Sequence, residues 1–158
     1  MAMDTTTELL AQVPIFQGLT QAQIGAIAAA GKKCFFEAGE TIIRSGEDGS
    51  AAYLILSGRA RVSEPVDPAA DVNLLPGSFT GELAMLVEMT YSTTVVASER
   101  IRALSIQRSA LLPVMEADPT IARHFSDKLM QRLLDLAEEL RQVDAQFAAI
   151  EAAFEDAA

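Results

Sequence analysis

The sequence is poor in the residues that most catalytic and metal sites require. Its 158 residues include one cysteine, Cys34, one histidine, His124, and no tryptophan. A lone cysteine excludes an internal disulfide, and His124 with Asp127 supplies two ligands, too few for a zinc site. Ser126 lies two residues from His124 and does not face it on a helix, so no Ser-His-Asp triad is indicated. We expect Cys34 to be a small buried hydrophobe, His124 a surface or packing residue, and the protein not to be an enzyme.

Positive charge and long apolar runs are also scarce. Twelve basic against twenty-two acidic side chains give a net charge of −10, which repels phosphate backbones and anionic lipid headgroups. No apolar run approaches the ~18 residues that span a bilayer. The N-terminus, with Asp4 and Glu8, lacks the features of a signal peptide. We therefore predict a soluble, cytoplasmic protein that binds neither nucleic acid nor membrane.

Apolar residues, by contrast, are plentiful enough for the core of one domain. Half of the residues are hydrophobic, and a chain of this length buries roughly two-thirds of its unfolded surface. Residues 1–12 are interpreted as an N-terminal tail, and residues 13–19 as a compact apolar turn packed on the core. Thr20 to Ala30 predicts a short helix, with Thr20 as N-cap and Gly31 following its end.

From Lys32 to about Ile106 the pattern is typical of β-structure. Short runs of β-branched and large apolar residues are separated by glycines at intervals of one strand and one turn. Pro65 and Pro68 mark an exposed hairpin connection. The pattern predicts an antiparallel sandwich or barrel. Its clearest strands are Thr41–Ile43, Ala52–Leu56, Ala60–Val62 and Thr93–Ala97.

After Gln107 the sequence becomes helical. One helix is predicted over Ser109–Glu116, and a second starts at Asp118-Pro119-Thr120. The second carries apolar residues spaced alternately four and three apart, which is a heptad seam: Leu129, Leu133, Leu136, Leu140, Val143, Phe147, Ile150 and Phe154. We predict a parallel coiled-coil homodimer through the seam from Leu129 to Phe154, and we assign residues 129–158 as the dimerisation helix and tail. The alternative is a helix folded back on its own sheet.

One segment interrupts the β pattern. Residues 76–86 predict a helix-like turn between strands, with Glu82 at its N-terminus, where the helix dipole favours a carboxylate and backbone N–H groups form a small anion site. Glu82 can accept hydrogen bonds from a diol. The alternative is that Glu82 only caps the turn.

Gly81-Glu82-Leu83-Ala84, followed by Thr93 to Ala97, resembles the phosphate-binding cassette of cyclic-nucleotide-binding domains of the catabolite-activator type. Residues 14–19, 39–46 and 53–62 resemble other parts of that family. The resemblance implies an eight-stranded double-stranded β-helix, or jelly roll, with flanking helices. We assign that domain to residues 13–128.

The resemblance also implies the roles of single residues. Glu82 would hold the ribose 2′-hydroxyl of cAMP or cGMP, and backbone amides near Leu83 and Ala84 would face the cyclic phosphate. The family's phosphate-binding arginine falls at Tyr91, so that arginine is missing, although Ser92, ahead of Thr93, can donate a hydroxyl. Losing one partner of such a charge pair costs about 2–5 kcal/mol. Spacing does not show whether another arginine substitutes for it, the candidates being Arg44, Arg59, Arg61, Arg100 and Arg102.

Three functions are consistent with these observations. The first is a stand-alone dimeric regulatory module with a degenerate pocket, which requires no cofactor and signals through a protein partner. The second is a working cAMP or cGMP sensor that uses Glu82, Ser92 and backbone amides. The third is a structural coiled-coil adaptor. A DNA-reading domain needs roughly 50 residues beyond the long helix, and the sequence ends at Ala158, so no such domain is expected.

Overall fold

Residues 4–63 and 72–156 are described in the computed structural model, and they divide into two units between Ile121 and Ala122. The predicted hairpin connection at Pro65 and Pro68 lies outside these residues. Helices α1 to α4 span Thr5–Ala11, Gln21–Ala30, Arg108–Ala117 and Pro119–Asp156. The strands β1 to β10 span Lys32–Phe36, Thr41–Ile43, Asp48–Gly49, Ala51–Ser57, Ala60–Ser63, Val72–Leu74, Phe79–Thr80, Met89–Thr90, Thr94–Ala97 and Ile101–Gln107.

The sheets are antiparallel and form a jelly-roll-like fold, which confirms the predicted fold class. One four-stranded sheet has the order β1-β10-β4-β7 and the other β2-β9-β5-β6, while β3 pairs with β8. Three of the four runs predicted as strands lie wholly in strands of the structure, β2 with the predicted bounds, and the fourth, Thr93–Ala97, begins one residue before β9. The described residues contain ten strands where the resemblance implied eight, and three of the ten are only two residues long.

The core of the first unit lies between the two four-stranded sheets. Its largest members include Ile43 on β2, Ile55 on β4, Val95 on β9 and Ile101 on β10, all at most 2% exposed. Full burial of one such side chain contributes roughly 1.5–3 kcal/mol to folding. The same packing positions the ends of β2, β4 and β9, which border the cassette turn described below.

The N-terminal segment combines a confirmed prediction with an unexpected helix. Thr20 caps α2: its Oγ1 accepts from the Gln23 amide at 3.1 Å, and the Gln23 side chain accepts from the Thr20 amide at 2.9 Å. Gly31 follows the helix with an extended backbone. A Cβ at this position would lie 2.8 Å from Leu104 Cδ1, so close packing against Leu104 explains why the residue is glycine. The segment interpreted as a tail contains α1, on which Leu10 is fully buried.

Two glycines with the same backbone conformation differ in their surroundings. Gly58 and Gly39 both have φ near +90°. A Cβ at Gly58 would lie 2.3 Å from the Arg100 carbonyl oxygen, whereas a Cβ at Gly39 would have no atom within 4 Å. The left-handed backbone costs a side chain about 1–2 kcal/mol at either site. The clash adds about 1–3 kcal/mol at Gly58 alone.

We therefore expect Gly58→Ala to lower the free energy of unfolding by more than Gly39→Ala. Urea denaturation of both variants measures the difference. Equal losses would show that backbone strain, and not the contact with Arg100, makes glycine necessary at position 58.

Helix α4 begins where the sequence predicts and continues for 38 residues. Asp118 precedes it and accepts from the Thr120 amide at 3.1 Å; hydrogen bonds from Thr120 and Gln23 lower the pKa of the Asp118 carboxyl. From Leu133 to Phe154, the seam side chains are 47–75% exposed.

None of the helices among residues 4–63 and 72–156 has both the length and the apolar character needed to cross a bilayer.

Candidate functional site

The cassette turn follows β7 and depends on a glycine. Gly81 adopts a left-handed backbone with φ of +76°, and a Cβ there would lie 3.0 Å from the Ala51 carbonyl oxygen and 3.1 Å from Ile43 Cδ1. A 3-10 turn over Glu82–Met85 begins directly after it. Ala84 is fully buried, which anchors the turn and leaves Glu82 and Leu83 half-exposed on its outer side.

A cavity of about 180 Å³ lies against this turn. Six of the seven site residues predicted from the sequence line it, and the exception is Ala84, which is buried beneath the turn. Ligand-binding pockets usually have ~300–1,000 Å³, so this cavity is small. Its lining consists of Ile43, Gly81, Glu82, Leu83, Met89, Tyr91, Ser92 and Thr93.

Tyr91 fills the position where the family's arginine was expected, and its hydroxyl group is engaged. It donates to the Ala51 carbonyl at 2.7 Å and accepts from the Ala51 amide at 3.3 Å. The ring lies close to two glycines: a Cβ built on Gly49 or Gly81 would lie 3.1 Å or 3.4 Å from Tyr91 Cε1. Tyr91 is thus a wall of the pocket whose polar atom is directed to the backbone of β4.

The backbone amides of the turn are not equally available. The Ala84 amide, which the resemblance implied would face a phosphate, donates to the Gly81 carbonyl at 3.0 Å inside the turn. This bond is the ordinary i to i+3 pairing of a 3-10 helix. An anion at the turn would have to compete with it.

Glu82 is the one residue with a formal charge among the described residues that line the cavity. Two of the arginines considered from the sequence have other partners. Arg44 pairs with Glu47 at 3.4 Å, and Arg100 pairs with Glu37 at 3.4 Å.

Arg108, which the sequence analysis did not single out, lies behind the cassette turn. Its Nη1 donates to the carbonyl oxygens of Gly49 at 3.1 Å, Ala84 at 3.0 Å and Val87 at 2.8 Å. Its backbone amide donates to the Ser50 carbonyl at 2.8 Å. One residue at the start of α3 thus holds β3 and the end of the turn together.

We expect Arg108→Met to lower the free energy of unfolding by about 2 kcal/mol or more, because hydrogen bonds from a charged donor contribute ~1.5–3 kcal/mol each. Chemical denaturation measures this loss. Arg102→Met, at an exposed arginine of β10, is the matched control and should change stability by less than about 0.5 kcal/mol. A similar loss in both variants would contradict a special role for Arg108.

Cys34 and His124, the residues considered for catalysis or metal binding, each contact other groups. Cys34 is half-buried with Sγ 3.7 Å from the Ala103 carbonyl oxygen, and burial raises the pKa of its thiol. The His124 ring contacts the Phe125 ring edge-on, with centroids 5.7 Å apart. Within the described part of the chain, no group of three or more His, Cys, Asp or Glu residues is placed to hold a metal ion.

Comparisons with known proteins agree with this geometry. The family model of the cyclic nucleotide-binding domain matches residues 33–118. The chain is 32% identical to a cyclic nucleotide-gated potassium channel of Mesorhizobium japonicum over 79% of its own length and 34% of the channel. The chain spans about a third or less of the length of the bacterial channels that it matches.

Solved structures show the same fold. The N-terminal domain of a transcriptional regulator from Streptomyces coelicolor superposes with a TM-score of 0.74, covering 84% of this chain and 94% of that domain, at 19% identity, which supports the fold alone. The catabolite activator protein of Thermus thermophilus superposes with a TM-score of 0.65 at 26% identity, covering 83% of this chain and 63% of that one.

Proposed function

The chain belongs to the cyclic nucleotide-binding domain family, and from that premise we propose that it is a dimeric regulatory module whose pocket has weak or lost affinity for cyclic nucleotides. The observation that carries the proposal is Tyr91. It stands where the resemblance places a phosphate-binding arginine, and its hydroxyl bonds to Ala51. A cyclic phosphate would therefore meet Glu82 with no cation among the lining residues described.

In this proposal cAMP or cGMP is a possible ligand and no cofactor is required. Glu82 would accept from the ribose 2′-hydroxyl, and Ser92 and Thr93 would offer hydroxyl groups. The alternative, a working sensor, uses these same residues with backbone amides as the phosphate partners. That alternative is weakened by the engagement of the Ala84 amide with Gly81.

The output of the module is proposed to pass through α4. The seam from Leu129 to Phe154, exposed from Leu133 onward, favours a homodimer. Residues 13–128 would be the sensing domain, residues 129–158 the dimerisation segment, and a protein the downstream partner. The net charge of −10 supports a role without nucleic-acid or membrane partners, and the proposed location is the cytoplasm. The same seam favours a second candidate function, a structural adaptor.

A thermal-shift panel tests the state of the pocket. At 1 mM ligand, a millimolar site adds about 0.4 kcal/mol to stability and a micromolar site about 4 kcal/mol. We therefore expect cAMP and cGMP to raise the melting temperature by no more than about 2 °C, with inorganic phosphate as the control for a non-specific anion effect. A rise of roughly 8 °C or more would contradict the degenerate pocket and favour the working sensor.

A further inference from the structure

We infer that two copies of this chain pair through α4 in antiparallel orientation, so that the acidic end of one helix lies beside the start of the partner's seam. This inference rests on the proposed homodimer and names the orientation of its interface, in place of the parallel one predicted from the sequence. The distribution of charge along α4, the residues that flank the seam and the sizes of the seam side chains all favour it.

The seam of α4 is available to a second copy of the chain. The helix is continuous from Pro119 to Asp156, and the seam side chains from Leu133 to Phe154 are 47–75% exposed. Seam residues alternate between the heptad positions a and d, with Leu129 at d. An antiparallel pair that sets Leu133 of one helix beside Ile150 of the other keeps all eight seam residues in the interface.

Charge is distributed unevenly along the helix. Residues 127–141 carry three basic and four acidic side chains, whereas residues 142–156 carry four acidic and no basic ones. Arg141, the last basic residue, is paired with Glu138 of the same helix. A parallel pair would place two acidic segments and two negative helix-dipole ends side by side, and like charges in such positions oppose association. An antiparallel pair places each acidic segment beside the more balanced segment of its partner.

The residues that flank the seam give the same preference. Glu139 at position g and Asp144 at position e are both exposed. In a parallel coiled coil a g residue lies near the e residue of the partner's next heptad, and such pairs set the orientation. Glu139 would therefore face the partner's Asp144, twice in a symmetric dimer. In the antiparallel register g residues meet g residues and e residues meet e residues, so Glu139 lies beside the partner's Gln146 and Asp144 beside the partner's Ala137.

The sizes of the seam side chains also favour the antiparallel pair. Phe147 and Phe154 occupy a positions, and Val143 and Ile150 occupy d positions. Parallel dimers prefer β-branched residues at a and leucine at d, and they would pack each phenylalanine against its own copy. In an antiparallel pair every a residue packs against a d residue of the partner. The resulting layers are Phe154 with Leu129, Phe147 with Leu136, Leu140 with Val143, and Leu133 with Ile150.

Disulfide exchange on the full chain measures the orientation. In a Cys34→Ala background, Leu133→Cys and Ile150→Cys are prepared singly, mixed in equal amounts and equilibrated in a glutathione buffer. The two positions are 17 residues apart, which is roughly 25 Å along the helix, so an antiparallel pair brings only unlike positions together. We expect the mixed disulfide, identified by its mass, to exceed each like disulfide at least tenfold. Ala145→Cys, at an exposed position outside the seam, is the matched control and should form little disulfide.

The outcomes separate this inference from the proposed function. If like disulfides exceed the mixed one, the pair is parallel, so the inference is wrong and the proposed homodimer stands. If Ala145→Cys forms disulfides as readily as the seam variants, the sulfurs meet by random collision, which also overturns the inference. If the wild type is a monomer by light scattering at micromolar concentration, both the homodimer and its orientation are wrong.

Discussion

Replacing Leu136 and Leu140 by glutamate is expected to convert the protein from a dimer into a monomer. Both residues lie in the seam of α4, with 49% and 70% of their side chains exposed in the single chain. In a coiled coil they would be buried against the partner, and the double variant would place four carboxylates in that interface. Burying an unpaired charge costs several kcal/mol, so four carboxylates in the interface strongly oppose association. Light scattering at micromolar concentration measures the mass directly.

A matched variant tests whether loss of the dimer depends on the position of the added charges or only on their number. Gln142→Glu with Ala145→Glu adds the same two carboxylates to α4 on exposed positions outside the seam, and it should remain dimeric. If the Leu136 and Leu140 double variant is still a dimer, the predicted interface is wrong. If the wild type is itself a monomer, the alternative of a helix folded back on its own sheet gains support.

Replacing Tyr91 by arginine is expected to restore cyclic-nucleotide binding by about 2 kcal/mol or more, which is roughly thirtyfold. Arginine offers a charged, forked pair of donors where tyrosine offers a neutral hydroxyl. It would also add a positive charge to the cavity that Tyr91 and Glu82 both line. Calorimetry with cAMP on the wild type and on Tyr91→Arg measures the gain.

Two further variants identify the origin of this gain. Tyr91→Phe removes the hydroxyl that bonds to Ala51 without adding a cation, so it should destabilise the fold by about 1–3 kcal/mol and leave cAMP affinity unchanged. Adding Glu82→Ala to Tyr91→Arg should weaken cAMP again, because the ribose loses its acceptor. Tight wild-type binding that Tyr91→Arg leaves unchanged would place the phosphate partner elsewhere.

Local signals in the sequence were sufficient for most of the fold. The glycine-separated β-branched runs gave strands such as β2 and β9 within a residue of their bounds, because strand propensity and turn glycines act over a few residues. The tail interpretation overlooked α1, which has only seven residues. Its stability depends on burial of Leu10, which only the tertiary structure reveals.

The residues that line the cavity were largely predictable from the sequence, whereas their hydrogen bonds were not. Motif spacing located six of the lining residues, since the turn and the following strand lie close in sequence. The engagement of Tyr91 with Ala51 joins residues 40 positions apart. The bond from Arg108 to Gly49 spans 59 positions. Side chains that bond to distant backbone carbonyls leave no residue-type pattern, so both contacts required the structure.

The three carbonyls held by Arg108 impose a mechanical constraint on the domain. Ala84 and Val87 belong to the end of the cassette turn, and Arg108 is the first residue of α3. The turn cannot shift outward without either breaking these bonds or moving the start of the helix with it. Amide protons of the turn and of the first residues of α3 should therefore show the same free energy of opening in hydrogen exchange, as parts of one cooperative unit.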